Sequence, residues 1–169
     1  FRFGGRGRCG KETVVCLGDS LTYGYEVKRR AAWPALAGEM TSRRISNKGV
    51  NGLMTAGMLA CFNQDVIREN ADAVLLMGGA NDILSGLGPD QPLRHMASML
   101  ARAAAAGLRP LAGIPPAFCP PIREACASMA DFPARPPVYA EYVEHALALS
   151  DRAHCALLPL RSGPSRPAR

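Results

Sequence analysis

A chain of 169 residues, 48% of them apolar, is long enough to bury the core of one domain. No stretch approaches the roughly eighteen consecutive apolar residues of a membrane span, and the arginine-bearing first ten residues hold no export-signal core. The net charge of +6 invites a nucleic-acid reading, but Arg2, Arg6, Arg8, Lys11, Arg161, Arg166 and Arg169 crowd the two ends and the other basic residues are scattered among acids without interleaved aromatics, so no nucleic-acid partner is expected.

In chain order, residues 1–12 read as a disordered basic segment, residues 13–160 as the single domain and residues 161–169 as a disordered tail. Residues 13–17 (TVVCL) are the first strand candidate, and Gly18-Asp19-Ser20-Leu21 follows it. Trp33-Pro34 opens a helix to about Met40, since proline suits a first helical turn. Residues 44–47 form the second strand, with Asn47-Lys48-Gly49-Val50-Asn51-Gly52 as its polar end. A helix over 54–70 leads to residues 73–77 (AVLLM), apolar at every position, which is the pattern of a strand covered on both faces. Gly78-Gly79-Ala80-Asn81-Asp82 follows, then an alanine-rich helix over 91–106 capped by Gly107, and a fourth strand over 109–114. Residues 115–137 read as a long proline-rich loop bordering a substrate site, before a helix over 138–150 and a fifth strand over 155–160. Alternating strands and helices predict an α/β fold with a parallel sheet.

Cys9, Cys16, Cys61, Cys119, Cys126 and Cys155 contain no CxxC pair and no zinc-spaced Cys/His cluster, so no metal site is expected. Free thiols are the expected state, with a bridge between Cys119 and Cys126 as the alternative. The chain begins with Phe1 and the compartment stays open, the thiols favouring the cytoplasm. Oligomeric state has no signature here.

Ligands of parallel α/β sheets bind at the C-terminal ends of the strands, where the three polar clusters fall. Acyl transfer needs a nucleophilic hydroxyl and preorganised donors for the developing oxyanion. Ser20 supplies the first; its own N–H, the N–H of Gly52 and the amide of Asn81 supply the second. Asp19 and Asp82 are expected to tether these loops through backbone N–H groups.

With those residues in view, residues 14–24 (VVCLGDSLTYG) resemble the first conserved block of the GDSL/SGNH hydrolases, a family of esterases, thioesterases and lysophospholipases. Gly52 in NGLMT is similar to that family's second-block glycine, and Gly79-Ala80-Asn81-Asp82 to its third block. The stretch from Trp33 (WPALA) resembles the arylesterase and acyl-thioesterase branch. The resemblance implies a flavodoxin-like three-layer α/β/α sandwich with a five-stranded parallel sheet, and ester or thioester cleavage through an acyl-serine with neither metal nor organic cofactor. Thr22 replaces the second glycine of the G-x-S-x-G elbow, which separates this chain from the other serine-esterase fold.

The family's fourth block, Asp-x-x-His after the fifth strand, supplies the base. Here Leu160 is followed by RSGPSRPAR, without Asp or His, so the chain is expected to stop short of its dyad and closing helix, which predicts an uncovered apolar sheet face. Asp151-Arg152-Ala153-His154 matches the spacing but precedes the fifth strand, on the wrong edge of the sheet. His95 and His145 fall in helices and read as structural. The alternative function is therefore a protein that binds acyl ligands without turnover.

Overall fold

The computed structural model describes residues 10–116, 135–152 and 156–159. Among them, five parallel strands form one sheet in the order β2-β1-β3-β4-β5: β1 (Thr13–Gly18), β2 (Arg44–Gly49), β3 (Ala73–Met77), β4 (Arg109–Ile114) and β5 (Ala156–Pro159). The helices are α1 (Ser20–Tyr23), α2 (Trp33–Thr41), α3 (Thr55–Asp65), α4 (Ala80–Leu84), α5 (Asp90–Ala105) and α6 (Arg135–Arg152), with 3-10 turns at Arg29–Ala31 and Ile67–Glu69.

Alternation along the strands decides the layers. Val15, Leu17, Val74 and Leu76 point to one side and pack with Met58 and Phe62 of α3 and Met96, Met99, Leu100 and Ala103 of α5. Val14, Cys16, Ala73, Leu75 and Met77 point to the other, against Trp33 of α2 and Ile45. The five residues on this second side are at most 5% exposed, so the central strands are covered there, contrary to the expected open face. A third cluster joins Tyr139, Tyr142 and Ala146 of α6 to Ile114, Ala80 and Ile83.

Strands β1 to β4 match the expected segments, with β1 reaching Gly18 and β2 reaching Gly49, so that Lys48 and Gly49 lie within β2 instead of after it. Of the fifth expected strand, Cys155 and Leu160 lie outside the described residues, as do Cys9, Cys119, Cys126 and most of the 115–137 loop. Two helix boundaries differ. The helix expected over 54–70 ends at Asp65, and the chain leaves the following 3-10 turn through Asn70 in the left-handed region, φ 51°. Helix α6 starts at Arg135, because Pro136 and Pro137 sit in a first turn where a missing N–H costs no intrahelical bond.

The register fixes where function can sit. Gly18 pairs with Gly49 on one side and Met77 on the other, so the three polar loops leave the sheet at one level and one edge.

Candidate active site

Ser20 is the first residue of α1, half-buried, and directly follows the Asp19 cap. The Asp19 carboxylate accepts the Leu21 N–H at 2.9 Å through Oδ1, while its carbonyl accepts the N–H groups of Thr22 and Tyr23 at 3.1 and 2.9 Å. Asn47 locks this turn to β2: its amide donates to the Thr22 carbonyl and its Oδ1 accepts the Gly49 N–H, each at 2.9 Å. The nucleophile candidate is thus held on a turn braced from two strands.

The second loop is tied to the first by the Val50 N–H, which donates to the Gly18 carbonyl at 3.0 Å. Gly52 lies there with φ 74°, exposed, with open space where a Cβ would point. Conformation, not crowding, selects glycine at this position, and its backbone stays accessible. Asn81 opens the third side from α4, and its Nδ2 donates to the Leu53 carbonyl at 3.1 Å. An amide carries two N–H groups, and one of them holds the second loop. The structure therefore brings Ser20, Gly52 and Asn81 onto loops that are hydrogen-bonded to one another.

Both aspartates tether loops. Asp82 accepts the Thr55 N–H at 2.9 Å and the Thr55 hydroxyl at 2.6 Å. Asp19 is 1% exposed and its Oδ2 finds no partner among the described residues; burial pushes its carboxyl up to about 6 against the opposing Leu21 hydrogen bond, with the Asp82 charge adding to the rise.

Three residues whose contacts the sequence does not announce complete the frame. Thr55 links α3 to Asp82 and also contacts Nδ1 of His95 at 2.9 Å, so His95 is structural, as expected of a helical histidine. The Tyr142 hydroxyl donates to the Gly78 carbonyl at 2.7 Å, and the Trp33 indole N–H donates to the Leu21 carbonyl at 3.0 Å. All are long-range pairs, invisible to local pattern.

No histidine hydrogen-bonds Ser20 among the described residues. His145 is exposed on α6. His154 lies outside the described residues; Asp151 is the last residue but one of α6, which precedes the N-terminal end of β5, whereas Ser20 follows the C-terminal end of β1. Among the described residues no cluster of His, Cys, Asp or Glu could hold a metal ion.

Known proteins share this fold and part of this sequence. The model of the GDSL-like lipase/acylhydrolase family matches residues 16–169. Thioesterase 1/protease 1/lysophospholipase L1 of Escherichia coli (strain K12) is 32% identical over 102 residues, which are 59% of this chain and 49% of that protein. Esterase TesA of Pseudomonas aeruginosa is 30% identical over 122 residues, 68% of this chain and 61% of its own length. The chain thus spans between about half and three fifths of the curated relatives it matches. In fold it resembles AlinE4, an SGNH-hydrolase family esterase, with a TM-score of 0.72 at 20% identity, covering 96% of this chain and 86% of that one.

Proposed function

The chain belongs to the GDSL-like lipase/acylhydrolase family, and from that premise we propose that it cleaves carboxylic esters or thioesters through an acyl-serine on Ser20. The observation that carries the reading is the bonding of three strand-end loops, Val50 N–H to the Gly18 carbonyl and Asn81 to the Leu53 carbonyl, around Ser20. Ser20 Oγ attacks the carbonyl carbon and loses its proton to a base. The N–H groups of Ser20 and Gly52 and the free amide N–H of Asn81 receive the oxyanion; collapse expels the alcohol or thiol, and water releases the acid. None of these steps calls for a metal or organic cofactor. The partner is a small ester or thioester rather than a nucleic acid, and no described helix is long and apolar enough to cross a membrane.

A second reading, an acyl-binding protein without turnover, is favoured by one observation: the described histidines are placed elsewhere, His95 on Thr55 and His145 in solvent on α6. Hydrolysis of p-nitrophenyl acetate and butyrate by this chain, its Ser20→Ala and its His154→Ala variants separates the two. Rates above background that vanish in Ser20→Ala support the hydrolase, and loss in His154→Ala as well assigns the base. Background rates in all three support binding alone.

A further inference from the structure

Between α1 and α2 the chain makes one closed excursion. Its ends meet at Gly24 and Ala32: Gly24 takes φ 88°, and a Cβ there would lie 2.5 Å from the Cβ of the buried Ala32, so only glycine lets them approach. The Val27 N–H donates to the Gly24 carbonyl at 3.2 Å, and the Ala31 N–H donates to the Lys28 carbonyl at 2.7 Å, closing the 3-10 turn over Arg29–Ala31. The Trp33 indole on the Leu21 carbonyl pins the base to α1. A loop held at both ends and bonded within presents a shaped surface, not a slack connection.

Every residue from Tyr25 to Ala31 is nevertheless exposed. Tyr25 is 61% and Val27 51% exposed, and Tyr23 just before the loop is 43% exposed. Val50, 50% exposed, extends the apolar surface from the neighbouring loop, because Gly49 packs directly on the Tyr23 backbone. Lys28, Arg29 and Arg30 follow on the same excursion, three basic residues against the single acid Glu26. Elsewhere Arg43, Arg109 and Lys48 are engaged by Glu12 and Glu69 in ion pairs.

A partner for this loop must accept apolar side chains and cations side by side. The interface of an anionic bilayer does both: phenol rings settle at headgroup depth, and the long stems of lysine and arginine carry their charges to the phosphates. A nucleic acid would offer bases to stack on the tyrosines but nothing that matches Val27 and Val50. We propose that the loop over residues 25–31 docks the protein on anionic lipid surfaces, with Tyr25 and Val27 entering the headgroup layer and Lys28, Arg29 and Arg30 on its phosphates. This stands apart from the reading of Ser20, and its test involves no turnover.

The experiment is cosedimentation of the full chain with vesicles of phosphatidylglycerol and phosphatidylcholine whose chains are all ether-linked, so that no ester is present. The chain is expected to bind them, to bind phosphatidylcholine vesicles roughly tenfold or more weakly, and to be released by salt. Each cation near an anionic surface strengthens binding roughly fivefold, so the triple variant Lys28→Gln, Arg29→Gln, Arg30→Gln is expected to bind on the order of a hundredfold more weakly. The double variant Tyr25→Ser, Val27→Ser keeps the charge and is expected to lose affinity several-fold. Removing as many charges from the end of the chain, by Arg161→Gln, Arg166→Gln and Arg169→Gln, is expected to cost far less than the loop triple variant. All the loop substitutions fall at exposed positions, and should one variant fail to fold the other still decides. No vesicle binding, equal losses in the two triple variants, or no loss in the double variant overturns the proposal. A single-stranded oligonucleotide held through the same residues while vesicles are ignored overturns it in favour of a nucleic-acid surface.

Discussion

Asp82 grips Thr55 with both carboxylate oxygens, one on the backbone N–H at 2.9 Å and one on the hydroxyl at 2.6 Å, in a place where both residues are at most 1% exposed. The clamp joins the start of α3 to the start of α4, and with them the loops bearing Gly52 and Asn81. The Thr55 hydroxyl has one proton, given to the nearer carboxylate, so His95 Nδ1 donates in the remaining 2.9 Å contact. Asp82→Ala strands two buried donors and is expected to cost about 3 kcal/mol or more, with Asp82→Asn costing less because its amide oxygen still accepts one bond. Urea denaturation measures both; equal midpoints for wild type and Asp82→Ala would refute the clamp.

Gly79 and Tyr142 fit by exclusion. A Cβ on Gly79, at φ 101°, would lie 2.3 Å from the Tyr142 ring, and the same ring's hydroxyl is bonded to the Gly78 carbonyl. Gly79→Ala is therefore destabilising, and Tyr142→Phe costs about 1–2 kcal/mol by abandoning a buried carbonyl. In a double-mutant cycle, Gly79→Ala is expected to cost less in a Tyr142→Ala background than in wild type, because the clash goes with the ring. Simple additivity contradicts this.

Asp19 makes stability fall with pH. Burial favours the neutral form and pushes its carboxyl up to about 6 in the folded chain, from an ordinary value of 3.8. The folded state therefore holds the extra proton between those values; the contribution is full below about 4, declines as pH rises, and is gone above about 6. Asp19→Asn keeps a capping oxygen and removes the charge, so it should stabilise the chain by up to about 3 kcal/mol at pH 7.5 and little at pH 4. A gain independent of pH would show that Asp19 titrates normally.

If Asn81 donates to the oxyanion, as the proposed function has it, Asn81→Ala is expected to lower kcat on the order of a hundred- to a thousandfold with a smaller change in KM. Steady-state kinetics on p-nitrophenyl butyrate checks it. A change confined to KM would place Asn81 in ground-state binding instead.

Strands β1 to β4 were legible because helices on both sides of a parallel sheet leave runs such as AVLLM apolar throughout. The strand-end placement of Ser20, Gly52 and Asn81 was legible for a related reason: glycine and polar residues interrupt those runs where the chain leaves the sheet. What escaped was set by distance in sequence. Thr55 meets Asp82 27 residues away and Tyr142 meets Gly78 64 residues away, and a threonine opening a helix or a tyrosine within one looks ordinary until its partner is known. The start of α6 escaped because Pro136-Pro137 reads as loop unless the helix is known to begin one residue earlier.

On the proposed function, Ser20 is an activated nucleophile. The most direct test is incubation of the chain and of Ser20→Ala with a fluorophosphonate, followed by intact-mass and peptide analysis. One stoichiometric adduct on Ser20, absent from Ser20→Ala, is the predicted result. An unmodified wild-type chain, or an adduct that persists in Ser20→Ala, would contradict it.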